Sequence, residues 1–184
     1  MRFSKENKKI LLSLWIVLPP TFIVVVLSAL YLFLAPKKYS KQVSAMAAEY
    51  CLDEDLVFAV IRVESNFRAD AVSSSGAIGL MQLLPSTAAF MAISAGEEET
   101  VDLFDAERNI ELGCRYLSYL SKKFEDQDTL LAAYNAGEGI VRRWLSDPRY
   151  GGGGTTLRKI PYRETRSYVK KVKKFYKCYK ILYF

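Results

Sequence analysis

Residues 53–64 read Asp-Glu-Asp-Leu-Val-Phe-Ala-Val-Ile-Arg-Val-Glu, and this segment is the most informative part of the chain. Three acidic residues open it and an apolar run follows. On an α-helix, Val57, Val60, Ile61 and Glu64 lie on one face. The pattern therefore predicts a helix whose last residue is a carboxyl group directed toward the apolar core.

A carboxyl group in apolar surroundings has a raised pKa and stays protonated near neutral pH. A group of that kind can serve as a general acid. Glu64 is therefore a candidate catalytic residue. From spacing alone, the alternative is a glutamate at a helix end that reaches solvent.

Three further blocks follow the first one, which begins Glu-Ser-Asn-Phe at Glu64. Residues 76–82 read Gly-Ala-Ile-Gly-Leu-Met-Gln, 132–137 read Ala-Ala-Tyr-Asn-Ala-Gly, and 164–169 read Glu-Thr-Arg-Ser-Tyr-Val. Gly76 and Gly79 are expected to let the backbone approach a ligand closely.

The ordered set of blocks resembles the lytic transglycosylases of the soluble lytic transglycosylase (SLT) type, over about residues 45 to 180. The resemblance implies a mainly α, lysozyme-like fold of the goose-lysozyme kind, with at most a small hairpin around 66–80. It also implies cleavage of the β-1,4 bond between N-acetylmuramic acid (MurNAc) and N-acetylglucosamine (GlcNAc) in peptidoglycan, leaving 1,6-anhydromuramic acid ends. Glu64 is then the catalytic acid, and no cofactor or metal is expected. The residues that match substrate-binding positions of the family are Ser73, Met81, Gln82, Tyr134, Asn135 and Glu164.

The resemblance also implies roles for these side chains. Ser73 and Gln82 suit a sugar N-acetyl group, because a hydroxyl and an amide both donate and accept hydrogen bonds. Met81 is expected to pack on the sugar, the Tyr134 phenol to reach the reacting centre, and Glu164 to position the substrate. The alternatives are ordinary core packing for Met81 and Tyr134, and a helix N-terminal role for Glu164.

Charge and composition restrict the function further. The 184-residue chain has a formal net charge of +6 and no histidine. The lack of histidine excludes Ser-His and Cys-His catalysis and most zinc enzymes. Cys51, Cys114 and Cys178 do not have the spacing of metal ligands, and we expect all three to be small core residues. The sequence does not decide which pair a disulfide would join outside the cytosol.

Basic residues crowd the C-terminal region, where ten lysines and arginines between residues 158 and 180 oppose only Glu164. The expected partners are peptidoglycan glycan strands, with anionic wall polymers or a lipid surface at the basic C-terminal helix. No nucleic-acid motif accompanies the charge, so we expect no nucleic-acid partner. The alternative is a solvated helix face.

Residues 10–35 contain no charged side chain. This run exceeds the roughly 20 residues that cross a bilayer, which predicts a transmembrane signal anchor. Lysines and arginines flank it on both sides, so orientation rests on the resemblance. The expected organisation is a cytoplasmic tail (1–9), the anchor (10–35), a linker (36–44) and an extracytoplasmic catalytic domain (45–184). The protein is then a single-pass protein of the bacterial cell membrane.

Helical periodicity dominates the rest of the chain. It predicts helices near 40–50, 54–65, 86–93, 106–125, 128–136, 139–146 and 164–181. Pro85 suits a first helical turn, Asp105 an N-cap, and Gly137 a helix C-terminus.

Three alternatives to a lytic transglycosylase remain open. A hydrolase of the same fold needs a positioned water and a second carboxylate, such as Asp70. A non-enzymatic wall-binding module needs no acid at all. A membrane-surface adaptor would use the apolar face of the last helix, formed by Val169, Val172, Phe175, Tyr176 and Tyr179. Tyr168, on that same helix, is expected to be structural.

Overall fold

The computed structural model describes residues 19–26, 35–97, 100–151 and 153–183. Contacts divide the chain into two units, 1–36 and 37–184. In the first unit, residues 19–26 are helical, and their apolar side chains, such as Phe22 and Val25, are exposed. The predicted anchor, 10–35, lies outside the described residues apart from 19–26 and Ala35. Of the helices that the structure describes, none combines the length and the hydropathy that crossing a bilayer requires.

The second unit is built of helices, and the longer connections follow the second, third and sixth of them. As far as it is described, its helices are α1 (Ser40–Glu49), α2 (Glu54–Glu64), α3 (Pro85–Ile93), α4 (Ala106–Ser121), α5 (Gln127–Ala136), α6 (Glu138–Ser146) and α7 (Arg163–Leu182). The mainly helical prediction is confirmed. α1 begins inside the stretch 36–44 that the sequence suggested as a linker, and its Val43 is fully buried.

Helix α2 runs through the middle of this unit. It packs mainly along α7 and also against α1. Five consecutive residues, 57–61, are fully buried. The sequence predicted one buried face, but the burial extends around the helix because neighbours cover more than one side of it. A helix that is apolar on most sides is a core helix, which fixes the position of its last residue, Glu64.

The helix ends follow the expected capping chemistry. The Asp105 carboxylate accepts a hydrogen bond from the Arg108 amide at 2.7 Å, and Pro85 opens α3. Gly137 ends α5 with a φ of 92° and directly precedes α6, so this glycine turns the chain between two helices. These three predictions are confirmed.

Helix α4 ends earlier than predicted, at Ser121 and not near residue 125. The Ser121 hydroxyl donates to the Ser118 carbonyl at 2.8 Å. The amides of Lys123 and Phe124 then both turn back to the Leu120 carbonyl at 3.0 Å. This tight turn buries Phe124, and that burial explains why the chain leaves the helix there.

The connection between α2 and α3 is the longest one. In its described residues the only ladder contacts are isolated antiparallel bridges, which pair Val72 with Ile78 and Ile78 with Leu83. The hairpin allowed by the sequence is thus reduced to a doubly bridged loop. Ile78 occupies the middle of it and fixes the path of residues 78–82 past α4.

Helix α7 places its apolar face against the rest of the same unit, packing on α2 and α5. Val169, Val172 and Tyr179 are buried, and the Tyr179 ring stacks on Phe58 with centroids 5.5 Å apart. The membrane-surface adaptor required this face to be free. Because this face is buried, it is not available to a membrane, and only the exposed lysines of the helix could contact a lipid surface.

Candidate active site

Glu64 is the last residue of α2, and it lies where the helix meets the 65–83 loop. The next residue, Ser65, is buried, and its hydroxyl donates to the Leu80 carbonyl at 2.8 Å. The end of the core helix is therefore tied directly to the loop that faces it. Glu64 is partly exposed, and it borders a cavity on each of its two sides.

The Glu64 carboxyl has a perturbed acidity. Burial raises its pKa from 4.5 to about 7, and the phenol of Tyr168 acts in the opposite direction. The position at a helix C-terminus also disfavours a negative charge, because the carbonyl end of the helix is itself negative. At neutral pH a substantial fraction of Glu64 is therefore protonated and can donate a proton.

Tyr168 is the main functional contact that the sequence prediction missed. It was expected to be structural, yet its buried hydroxyl lies close enough to Glu64 to favour the charged form of the acid. In this structure the hydroxyl meets no regular hydrogen-bond geometry. The available signal was spacing, since Tyr168 stands one turn after Glu164 on a helix that packs along α2.

The loop segment 78–82 forms one side of the first cavity and is held from behind by buried polar groups. Asn109 of α4 is fully buried; its amide accepts from the Met81 amide at 2.8 Å and donates to the carbonyls of Ile78 and Leu103. The Tyr134 phenol donates to the Met81 carbonyl at 2.8 Å. Side chains of two helices thus fix the backbone of Met81, the residue before Gln82, which borders the first cavity together with Glu64.

Sequence reasoning did not find Asn109. The signal was a polar residue on the buried face of α4, together with Ile110, Leu117 and Leu120. A buried amide must find partners for its donors and its acceptor. The irregular loop supplies two of these partners through Ile78 and Met81, and the connection before α4 supplies the third through Leu103.

The first cavity, of about 310 Å³, lies on the side of Glu64 that faces the loop. It is polar and aromatic in character. Its lining includes Glu64, Ser73, Gln82, Tyr134, Asn135 and Glu164, together with Ser74, Ser75, Thr87 and Tyr116. Six of the seven residues predicted from the sequence are therefore brought together around one space.

Gln82 faces this cavity with its acceptor only. Its side-chain nitrogen donates to the carbonyls of Ala71 and Gly79, each at 3.0 Å. Both amide hydrogens are thereby used, and the carbonyl oxygen is left to accept. The prediction that this amide both donates to and accepts from a sugar was therefore wrong in its donor half.

Ser73 is arranged in the complementary way. Its hydroxyl oxygen accepts from the Ala77 amide at 2.9 Å, and that bond closes the turn 73–77. The hydroxyl proton remains to be donated toward the cavity. Gln82 and Ser73 together provide one acceptor and one donor to a ligand.

Met81 does not border either cavity. Its side chain is fully buried, and it lies so close to Gly113 of α4 that a β-carbon there would overlap its sulfur. The structure thus places Met81 in the core, contrary to the expected packing on a sugar. The physical reason is the orientation of the loop, which turns the Met81 backbone toward Asn109 and Tyr134.

A glycine is required at position 79 because the loop packs closely on α4 there. It has a φ of 81°, and a β-carbon there would overlap the Asn109 amide. Gly76 has a φ of 80° but open space around it. At Gly79 the expected close approach of a ligand to the backbone was wrong, because the Asn109 amide fills that space, whereas at Gly76 it stays a prediction. Gly79 instead allows the loop to pack on α4.

Other carboxylates near the site have different roles. Asp70 is exposed in the loop and borders neither cavity. Burial alone would raise the pKa of Glu138, but hydrogen bonds from Lys123, Arg142 and Tyr119 outweigh this and lower it to about 2. Within the described ranges, no cluster of three or more potential metal-ligating side chains occurs.

Comparison with known proteins identifies the family. The model of the "Transglycosylase SLT domain" family matches residues 41–153. The chain belongs to this family. A membrane-bound lytic murein transglycosylase C of Photorhabdus laumondii is 32% identical over 166 residues, which cover 77% of this chain and 46% of that protein.

Solved structures of SLT family proteins show the same fold. The 70 kDa soluble lytic transglycosylase of Escherichia coli matches with a TM-score of 0.71 and 31% identity. An inactive glutamate-to-glutamine mutant of the lytic transglycosylase Slt of Pseudomonas aeruginosa matches with a TM-score of 0.69 and 35% identity. In each case 80% of this chain is covered, but only 25% of the other chain. The chain spans between a fifth and about half of the length of the curated relatives it matches.

Proposed function

We propose that this chain is a peptidoglycan lytic transglycosylase, which cleaves the MurNAc-β-1,4-GlcNAc bond and leaves 1,6-anhydromuramic acid ends. The observation that supports this most strongly is Glu64, an acid with a pKa of about 7 that lies between two cavities. A glycan strand that crosses the site from one cavity to the other brings a glycosidic bond past this carboxyl group. The names of the relatives point to the same activity.

In the first step Glu64 donates its proton to the glycosidic oxygen. The bond between this oxygen and C1 of MurNAc breaks, and GlcNAc leaves with a free hydroxyl. The N-acetyl group of the same MurNAc stabilises the positive charge that develops at C1, so the reaction needs no second carboxylate as a nucleophile.

In the second step Glu64, now a carboxylate, accepts the proton of the C6 hydroxyl of MurNAc. The C6 oxygen bonds to C1, which closes the 1,6-anhydro ring and restores the protonated acid. No water is consumed. One group with a pKa near neutral pH suits both steps, because it must first give a proton to the leaving oxygen and then take up a different one from the C6 hydroxyl.

The surrounding side chains have proposed roles in positioning. The Gln82 oxygen accepts from the N–H of the N-acetyl group, and the Ser73 hydroxyl donates to a sugar oxygen. Tyr134 closes the floor of the first cavity through its bond to the Met81 carbonyl, and Asn135 and Glu164 border both cavities. Holding the ring in this way favours the approach of C6 to C1 over attack by water.

A hydrolase of the same fold is the second candidate. Asp70 borders neither cavity, so Glu164 is the candidate that could activate a water molecule. Glu164 stands in the first turn of α7 and borders both cavities. If water is the acceptor, the new chain end is a reducing sugar and not a 1,6-anhydro ring.

The products decide between these two activities. Purified peptidoglycan digested by the protein should give muropeptides that end in 1,6-anhydromuramic acid. They should be unchanged by borohydride and should carry no label after digestion in heavy-oxygen water. Reducible, labelled termini as the main product would establish the hydrolase. No soluble product from the wild type, with binding retained, would favour the non-enzymatic module.

We further propose that residues 10–35 anchor the protein as a single membrane pass with residues 1–9 in the cytoplasm and the catalytic unit outside. The uncharged run supports this, as does the division of the chain at residue 36. The full-length chain should stay with membranes after an alkaline carbonate wash, whereas a chain that begins at Lys37 should be soluble and active. A processed, secreted form in cells would contradict the anchor.

The exposed lysines of α7, among them Lys170, Lys174 and Lys177, are proposed to face anionic wall polymers or lipid headgroups. Sedimentation of the Lys37–Phe184 chain with isolated wall and with anionic vesicles would distinguish the two. Binding to neither would mean a merely solvated face.

A further inference from the structure

The second cavity, of about 560 Å³, lies on the other side of Glu64 and differs chemically from the first. It shares Glu64, Asn135 and Glu164 with the first cavity. Its remaining lining is Val63, Arg163, Ser167, Tyr168 and Lys171. The lining of the first cavity includes serines and a threonine, whereas that of the second includes two cationic side chains.

Arg163, Ser167 and Lys171 follow one another at intervals of four residues along α7. Residues so spaced lie on the same face of a helix. Arg163 and Lys171 are both exposed, and neither forms an ion pair with another residue in the part of the chain that the structure describes. Lys173 and Lys180 of the same helix, by contrast, are paired with Asp128 and Asp53.

The ionisable groups that border the second cavity are Arg163, Lys171, Glu64, Glu164 and the phenol of Tyr168. While Glu64 is protonated, Glu164 is the only formal negative charge opposite two positive ones. The second cavity therefore carries a net positive charge in the state in which the acid is ready to donate its proton. It suits an anionic group of a ligand that also passes Glu64.

We propose that the second cavity binds a carboxylate of the peptide that is attached to the muramic acid, through Arg163 and Lys171. This inference rests on the proposed function for the nature of the ligand. MurNAc carries its peptide on the lactyl group at C3, and the peptide contains free carboxylates. With the glycosidic bond at Glu64, the proposed path of this peptide lies along the second cavity, which Glu64 also borders. The second cavity is the one whose charge is complementary.

Arg163 is suited to hold a carboxylate in a defined direction, since its planar guanidinium donates two parallel hydrogen bonds. Lys171 adds a mobile point charge two helical turns further on. Ser167 lies between them and supplies a hydroxyl donor. The three groups cover about 12 Å along the helix axis, estimated from a rise of about 1.5 Å per residue, which is enough to follow a peptide rather than a single ion.

The test measures binding, so it does not depend on turnover. The probe is the GlcNAc-MurNAc disaccharide peptide, prepared with free carboxylates and with all its carboxylates amidated. Both are titrated calorimetrically into the full-length Glu64→Gln chain in a nonionic detergent. The same titrations are made with Arg163→Gln and Lys171→Gln added, singly and together. Lys41→Gln is the control, because Lys41 is an exposed, unpaired lysine of α1 within the described residues and borders neither cavity.

The free peptide should bind about five- to tenfold more tightly than the amidated one, as expected for two partly exposed ion pairs. This preference should fall to about one in the double variant, fall partly in each single variant, and persist with Lys41→Gln. It should also weaken with added salt. Unchanged binding of the amidated ligand shows that a variant is folded.

A preference that survives in the double variant, or an equal affinity of the two probes for the parent chain, would overturn the proposal. If the double variant does not fold, the two single variants decide in the same way. The proposed function is judged separately from the products of the wild type. Anhydro products with no charge preference would refute only the peptide site, whereas reducible products with a clear preference would refute only the lyase.

Discussion

Replacing Glu64 with glutamine should strongly reduce activity and at the same time stabilise the fold, increasingly so as the pH rises. Glutamine keeps the shape of the side chain but has no transferable proton. Loss of a general acid typically lowers the rate by about 10²- to 10⁴-fold. The gain in stability follows from the cost of ionising a buried carboxyl group, a cost that the amide does not have.

The size of this gain can be worked out from the pKa. In the unfolded chain the pKa is 4.5, and in the folded protein it is about 7. Between these values the folded state binds a proton that the unfolded state does not, so the free energy of unfolding falls as pH rises. The difference of about 2.5 units corresponds to about 3 kcal/mol, fully lost above pH 7. The variant should therefore be more stable than the wild type by about 1 kcal/mol at pH 5 and about 3 kcal/mol at pH 8.

The assay is urea unfolding followed by far-ultraviolet circular dichroism, with the chain that begins at Lys37, at pH 5, 6, 7 and 8. The wild type should lose stability across this range relative to Glu64→Gln. Glu111→Gln serves as a comparison, because Glu111 is paired with Arg108 and Arg115 and its removal should be destabilising.

An advantage of Glu64→Gln that is equal at pH 5 and pH 8 would refute the reasoning. It would mean that the carboxyl ionises in the folded protein at its ordinary pKa, and that Glu64 is well solvated. A variant that retains wild-type cleavage of peptidoglycan would refute the catalytic assignment independently.

Three further predictions concern residues around the acid. Tyr168→Phe should raise the pKa of Glu64, because the phenol favours the charged form of the acid. The alkaline limb of the pH profile of kcat/KM should therefore move to higher pH. An unchanged limb would show that the phenol is not coupled to the acid. Asn109→Ala should lower the free energy of unfolding by about 3 kcal/mol in urea, because it removes the hydrogen-bond partner of the buried Met81 amide and Leu103 carbonyl. A loss below about 1 kcal/mol would contradict this. Gly113→Ala should lower the free energy of unfolding by about 1–3 kcal/mol, because the new β-carbon overlaps Met81. In a double-mutant cycle, Met81→Ala in the same chain should make the Gly113→Ala loss smaller. Strictly additive losses would argue against the contact.

The sequence predicted the helices and the position of the acid well because both depend on local patterns. Apolar periodicity and caps such as Asp105 act within a few residues, so α2 to α6 begin within a residue or so of the prediction. The grouping of Ser73, Gln82, Tyr134 and Glu164 came from the family resemblance, since these residues lie far apart in the sequence.

The details that the sequence did not predict depend on contacts between distant segments. Nothing near Met81 indicates that its side chain faces Gly113, because that follows from how the 78–82 loop is pinned by Asn109 and Tyr134. Gln82 offers only an acceptor to the cavity because its amide hydrogens bond two carbonyls. The positions of those carbonyls are known only once the loop is folded. The contact of Tyr168 with Glu64 requires the packing of α7 along α2.

The Gln82 side chain has a consequence for the search for inhibitors. Its two amide hydrogens are held by Ala71 and Gly79, so this edge of the first cavity presents lone pairs only. A compound with an N–H or hydroxyl here gains a hydrogen bond, whereas one with a ring nitrogen or ether oxygen meets electrostatic repulsion and must also give up a bond to water. Screening sets enriched in donors at the ring position that corresponds to the sugar N-acetyl group should therefore give more hits than sets matched only for shape and hydrophobicity.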